Sequence, residues 1–214
     1  MNLIAEDIVD YIKLHISEEP PVLRELARET HANVLMPGMI SGHEQGRVLS
    51  MISKLCRPKN ILEIGTFTGY STICLAEGLA KNGHIYTIEI NEELEEFAKK
   101  YFVKAGANHV VTQLIGDAME LVPKLEIVFD LIFLDADKKN YKNYLNLLID
   151  KLAPGGTLIA DNTLWYGKVL DNTANKDKDT KGIMAFNEAV LQDKRLENII
   201  LPVRDGISVI RKLE

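Results

Sequence analysis

Cysteine is nearly missing from this chain, with two in 214 residues, Cys56 and Cys74. Two cysteines supply neither a disulfide framework nor a zinc-ligand pattern, so a disulfide-stapled scaffold is excluded and a reducing, cytoplasmic setting is expected. Long hydrophobic runs are missing as well. No stretch reaches the ~18 apolar residues of a membrane span. Glu6, Asp7 and Asp10 interrupt the apolar positions of the first dozen residues, unlike a secretory signal. Positive charge is not in surplus: 25 Lys and Arg against 31 Asp and Glu leave a net charge of −6, which lends no support to a broad nucleic-acid surface. On this balance no broad nucleic-acid partner is expected, a local nucleic-acid surface stays open, and no membrane partner is expected. The rest of the composition is ordinary, 46% hydrophobic and 26% charged, and the length suits one globular domain over 1–214.

Hydrophobic spacing divides the chain into a helical opening, residues 1–58, and a core, 59–214. Ile4, Ile8, Tyr11 and Ile12 recur at helical spacing until Pro20-Pro21. Helices are expected again over Val22 to about Asn33 and around Val48–Leu55, with a loop at Met36–Ile40 between them. From Asn60 the pattern alternates. Apolar strands are expected at 61–64, 84–90, 110–115, 128–134 and 157–160. Helices are expected over 68–79, from the N-cap Asn91, and over 141–152, the last ended by Pro154-Gly155-Gly156. Alternating strands and helices predict a mostly parallel sheet covered on both sides. The tail departs from this: strand-like 199–203 and 207–213 flank Arg204-Asp205-Gly206, and Asp-Gly is a hairpin signal, so an antiparallel edge is expected. Trp165–Lys181 is polar and is expected to be a mobile surface loop.

The motifs sit where strands end. Glu63-Ile-Gly65-Thr66-Phe-Thr-Gly69-Tyr-Ser71 places glycines at a strand-to-helix turn, where backbone can approach a ligand closely. The spacing is not the G-x-G-x-x-G of a dinucleotide fingerprint, and no Gly-Lys-Ser/Thr follows to make a P-loop. Glu89 ends the second strand, where a carboxylate can accept from a ribose diol, and Gly116-Asp117-Ala118 ends the third on the same edge. An acid just before the Gly turn, Glu63, is unsuited to phosphate. It favours S-adenosylmethionine, a cation without phosphates, over NAD. The fourth strand ends Phe133-Leu-Asp135-Ala-Asp137-Lys138 and the fifth ends Ala160-Asp161-Asn162. Each acid or amide alone fits a helix N-cap. Together Asp135, Asp161 and Asn162 are hard oxygen donors that suit Mg²⁺ first, and Mn²⁺ or Ca²⁺, rather than zinc or copper. A hydroxyl beside such a cation ionises more readily, and Lys138, three residues after Asp135, is placed to take its proton. As a plain side chain its pKa near 10.4 makes it a poor base, and a surface ion pair is the alternative role.

These stretches resemble the cation-dependent class I O-methyltransferases, the caffeoyl-CoA O-methyltransferase-like branch related to catechol O-methyltransferase. The matching residues are LEIGTFTGYS (62–71), TIEIN (87–91), GDA (116–118), FDLIFLDADKKNY (129–141), DNTLWYG (161–167) and LPVRDGI (201–207), with a looser match in MISGHEQG (39–46). The resemblance implies an α/β, Rossmann-like seven-stranded S-adenosylmethionine-dependent methyltransferase fold, mostly parallel with an antiparallel C-terminal hairpin and extra N-terminal helices. It implies donor contacts from Met39, Ser41, Glu63, Gly65, Thr66, Ser71, Glu89 and Ala118, with Asp137 nearby. It implies a metal on Asp135, Asp161 and Asn162, Asp135 facing the substrate as well, and Lys138 as the base. It also implies a homodimer and a catechol-like or hydroxycinnamoyl-type acceptor. The chain departs from the plant enzymes at Tyr166, where they carry Asn, and their segment that holds coenzyme A is not recognisable here. A tRNA hydroxyuridine methyltransferase of the same family is the alternative, with Lys176, Lys178 and Lys181 as its basic contribution.

Overall fold

The computed structural model describes residues 4–170 and 177–214. Three helices come first: α1 (Glu6–His15), α2 (Pro21–Asn33) and α3 (Gly42–Cys56). The core then runs β1 (Asn60–Ile64), α4 (Tyr70–Ala76), β2 (His84–Glu89), α5 (Glu95–Lys104), β3 (Val111–Ile115), α6 (Ala118–Leu121) and β4 (Phe129–Leu134). It ends with α7 (Tyr141–Lys151), β5 (Leu152–Ala160), α8 (Lys178–Gln192), β6 (Leu196–Leu201) and β7 (Ile207–Lys212). One seven-stranded sheet has the order β3-β2-β1-β4-β5-β7-β6. All pairings are parallel except β5 with β7 and β7 with β6.

Side-chain alternation explains why the sheet is covered twice. Successive strand residues point to opposite faces. Leu62 and Ile64 of β1, Ile132 and Leu134 of β4, and Leu158 and Ala160 of β5 enter one core, with Tyr141, Leu145 and Leu148 of α7 and Phe186 of α8. Ile61, Leu131, Phe133 and Ile159 enter the other, with Leu23 and Leu26 of α2, Leu49 of α3 and Tyr101 of α5. Strands buried on both faces must read as nearly continuous apolar runs, which is the pattern of β1 and β4.

Several predicted boundaries move, each for a local reason. Pro21 does not break a helix but starts α2, because its missing N–H falls at a position with no intrahelical acceptor. The Met36–Ile40 loop contains a 3-10 turn, Pro37–Met39. The predicted helix over 68–79 shortens to Tyr70–Ala76, since Gly69 at φ 88° takes the entry. Pro154-Gly155-Gly156 does not stop α7, which ends at Lys151; these residues lie within β5, beside a register shift against β4. The polar 165–181 stretch, expected as a surface loop, holds helical segments at its two ends. Trp165–Leu170 forms a 3-10 segment, and α8 begins at Lys178, where the Asp177 side chain accepts from the Thr180 N–H. Residues 171–176, including Lys176, lie outside the described part.

Candidate active site

Strand order and register bring the motif residues together. Between β1 and β4 the strand order reverses, and in open α/β sheets ligands bind at the carboxyl ends beside that switch point. Ile64 of β1 pairs with Leu134 of β4, which pairs with Ala160 of β5. The ladder continues one residue further: the Asp135 N–H donates to the Ile64 carbonyl at 2.9 Å, and the Asp161 N–H to that of Leu134 at 3.0 Å. Gly65, Asp135 and Asp161 therefore stand in one row across three neighbouring strands. The crossing is tight at Gly65 (φ 104°), where a Cβ would lie 2.1 Å from the Asp135 carbonyl oxygen, so only glycine fits.

On the Gly65 side a crevice is lined by Met39, Ile40, Ser41, Thr66, Phe67, Tyr70, Ser71 and Asp135. No lysine or arginine lines it. It is narrow here, about 10 Å³, roughly room for one water. Seating a nucleoside there requires its outer wall to yield. That wall includes Met39, 56% exposed and on a single 3-10 turn. A wider concavity of about 400 Å³ lies at the amino ends of β2 and β3, lined mainly by aliphatic residues such as Ile73, Leu79 and Ala107.

Beneath the crevice is a buried polar network. Glu63 is fully buried; its Oε2 accepts from the hydroxyls of Thr72 and of Thr87, the latter at 2.6 Å, while its Oε1 has no hydrogen-bond partner. Thr87 also contacts the Thr66 hydroxyl at 2.6 Å. Burial pushes Glu63 up from its ordinary 4.5 to about 7, against the lowering effect of the surrounding hydroxyls. A raised carboxylic pKa means the folded state holds the proton more tightly than the unfolded one, so stability falls as pH rises between 4.5 and 7. The ligand-free protein should lose up to roughly 3 kcal/mol across that window, several degrees in Tm, and Glu63→Gln should remove this slope. Equal slopes in melts of both proteins from pH 4.5 to 8 would contradict the assignment.

Glu89, at the tip of β2, accepts from the Phe67 N–H at 2.7 Å and from the Asn91 N–H at 2.9 Å, one on each oxygen. It thereby fixes the Gly turn while each oxygen keeps a free lone pair. Asp117 acts as the N-cap of α6, accepting from the Met119 N–H at 2.8 Å. Ala118 is buried in the core beside it. Asp137 accepts from Asn140 at 2.7 Å and from the Tyr144 hydroxyl at 3.0 Å.

On the Asp161 side the charges are concentrated. Asp161 is buried; its Oδ1 accepts from the Asn162 N–H and its Oδ2 from the Gln45 amide, both at 2.7 Å. Burial, and next the charge of Asp135, hold Asp161 above the ordinary aspartate range. Asn162 takes a left-handed backbone at φ 57°. Among the described residues no group of three or more His, Cys, Asp or Glu could hold a metal, so a third protein donor here would come from another residue type, such as the amide of Asn162. An acid raised by the charge of a second acid, and followed in the chain by an amide, has the donor chemistry of a hard divalent cation site. Lys138 is also buried, its Nζ 2.6 Å from Asp135 Oδ1 and 2.8 Å from the Tyr141 hydroxyl. Burial is the largest single influence and would lower its pKa, but Asp135, Tyr141 and Asp161 together outweigh it and raise it above the ordinary lysine value. Lys138 is thus not the predicted surface ion pair; in this state it is the site's own cation.

Residues 13–213 match the O-methyltransferase family. This chain is a member of that family. The O-methyltransferase is 34% identical to caffeoyl-CoA O-methyltransferase 1 of Arabidopsis thaliana over 99% of its own length and 86% of that protein's. It is 36% identical to caffeoyl-CoA O-methyltransferase 2 of Petunia hybrida over 91% and 85%. Among solved structures, the O-methyltransferase of Bacillus cereus, in complex with SAH, superposes with a TM-score of 0.89 at 30% identity, covering 96% and 97% of the two chains. The tRNA alternative finds no support. Two of its lysines, Lys178 and Lys181, lie on α8. No helix among the described residues of this O-methyltransferase is long and apolar enough to cross a membrane.

Three site residues escaped the sequence reading. Tyr141 resembled any apolar helix position, yet its hydroxyl receives a hydrogen bond from Lys138 and reaches the carbonyls of Leu134 and Asp161. Gln45 and Arg204 lie far away in sequence and carry no spacing signal. Arg204 Nη1 donates to the carbonyls of Ile40 and Ser41 and, at 2.8 Å, to Gln45 Oε1.

Proposed function

We propose that this O-methyltransferase moves the methyl group of S-adenosylmethionine to one hydroxyl of a vicinal aromatic diol, of catechol or hydroxycinnamoyl type. A divalent cation, Mg²⁺ first and Mn²⁺ or Ca²⁺ as alternatives, would be held by Asp135, Asp161 and Asn162. The observation that carries the reading is the row Gly65, Asp135, Asp161, which sets a crevice without basic side chains directly against a set of hard oxygen donors. The SAH-bound Bacillus cereus relative and the caffeoyl-CoA O-methyltransferase relatives support it. When bound, the donor supplies an electrophilic methyl carbon and the cation lowers the pKa of a hydroxyl beside it.

The chain's own residues orient and take up protons. Asp135, between crevice and cation set, fixes the acceptor hydroxyl in line with the methyl group, a placement worth several powers of ten in rate. Met39, Ser41, Gly65, Thr66 and Ser71 bound the donor, with Glu63 and Glu89 stiffening the turn beneath it and Asp117, Ala118 and Asp137 at the neighbouring strand tips. Lys138 Nζ stands beside Asp135 and is an ammonium in this state; it would take the hydroxyl proton only after releasing its own to solvent, which the positive charge of a cation held on Asp135 would favour. A bound donor would give its methyl carbon to the hydroxyl oxygen as the S–CH₃ bond broke, and would leave as a neutral thioether, so the charges balance. Tyr166, 56% exposed and tilted against Trp165 with ring centroids 5.7 Å apart, stands where an aromatic acceptor can stack.

A labelled-methyl assay tests this with catechol, caffeoyl thioester, flavonoid diols, hydroxyuridine tRNA and matching mono-hydroxy compounds. Transfer to the diols should exceed transfer to the mono-hydroxy analogues by at least about a hundredfold, the scale on which lost orientation acts. Equal rates on both, or preference for the tRNA, would contradict the acceptor class.

A further inference from the structure

Asp161 must present its free lone pairs to one point, and the structure contains a device for that which reaches across the whole chain. Gln45, on α3, is fully buried. Its amide nitrogen donates to Asp161 Oδ2 at 2.7 Å, and its amide oxygen accepts from Arg204 Nη1 at 2.8 Å. The two ends of an amide differ: one accepts and the other donates only. A guanidinium has donors alone and a carboxylate has acceptors alone. With Arg204 on one side and Asp161 on the other, the amide has a single favourable orientation. The flipped form would press the amide oxygen against the carboxylate and the NH₂ against the guanidinium.

The same Nη1 also binds the carbonyls of Ile40 and Ser41, which line the donor crevice. Arg204 sits at φ 47° in the turn before β7. Non-glycine residues rarely adopt that conformation, so the surrounding contacts hold it there. We propose that Arg204 and Gln45 are positioning residues: they lock the Asp161 carboxylate in its cation-binding orientation and tie it to the Ile40–Ser41 wall of the donor crevice. This rests on the cation reading above. Neither residue touches the reacting atoms. Gln45 acts through its hydrogen bond to Asp161, and Arg204 acts through Gln45, as outer-shell partners of metal ligands do, where loss typically weakens metal affinity 10- to 100-fold.

The experiment measures Mn²⁺ binding by water-proton relaxation and SAH binding by calorimetry. It compares wild type with Gln45→Met, Arg204→Met and Arg204→Lys, each checked for a cooperative melt. Gln45→Met should weaken Mn²⁺ binding at least tenfold, and its catalytic rate at saturating Mn²⁺ should recover to within a few-fold of wild type. Arg204→Met, at an exposed residue, should fold; it should weaken Mn²⁺ binding several-fold and SAH binding as well. Arg204→Lys should restore only part of this, since a lysine side chain is one bond shorter and its ammonium falls short of the position of Nη1. Wild-type Mn²⁺ affinity in a folded Gln45→Met or Arg204→Met would overturn the proposal alone. No Mn²⁺ binding by wild type, with SAH still bound, would overturn the cation reading and this inference with it.

Discussion

In EDTA, methyl transfer to a catechol should fall below detection while SAH binding stays within a few-fold of its untreated value, and Asp161→Asn should reproduce that split at any Mg²⁺ concentration. The substitution keeps the side chain's size, and its amide oxygen can still accept from Gln45 or from the Asn162 N–H. What it removes is one of two charges on a hard donor set. Asp161 lies on the far side of Asp135 from Gly65, so the donor crevice itself loses no wall. The two readouts therefore separate a cation requirement from general damage. The fold should also survive, because the fully buried carboxylate is held above its ordinary pKa by burial and by Asp135, and its charge is a burden on the ligand-free protein. Full activity of the chelated enzyme, or wild-type turnover by Asp161→Asn, would remove the cation from the scheme.

Lys138→Met should lower kcat by about 10² to 10⁴, the range general-base groups contribute, with SAH affinity little changed. In the ligand-free state Lys138 Nζ neutralises Asp135 at 2.6 Å, with side chains only 10% and 23% exposed. Removing it leaves Asp135 without its partner, so the variant should be measurably less stable. Added divalent cation should restore part of that stability, because it takes over the charge that Lys138 carried. A thermal melt with and without Mg²⁺ checks this beside the kinetics. A variant with wild-type kcat would show that the proton leaves by another route, with Lys138 serving only to balance charge.

Both predictions begin with residues that were visible before any coordinates. Gly65, Asp135 and Asp161 stood out because each ends an apolar run, and an apolar run long enough to be a doubly buried strand delivers the residue after it to a sheet edge. The antiparallel edge was equally readable from Asp205-Gly206. Helix ends were read less well. Pro154-Gly155-Gly156 resembles a helix stop, but it lies within β5 in the gap between the Leu152 and Thr157 pairings with β4, where no ladder partner is asked of it.

The sequence determined the alternation of elements, the two-faced burial of β1 and β4, and the chemical types at the strand tips, since all of these follow from side-chain period and local turn chemistry. Only the tertiary structure decided that Gly65, Asp135 and Asp161 share one row, because strand order and register come from packing between segments some 25 to 70 residues apart. It alone brought Gln45 to Asp161, and Arg204 to Gln45 across 159 positions. It alone set the charge of Lys138, because a pKa in a buried cluster depends on which neighbours crowd the group, and spacing along the chain does not contain that information.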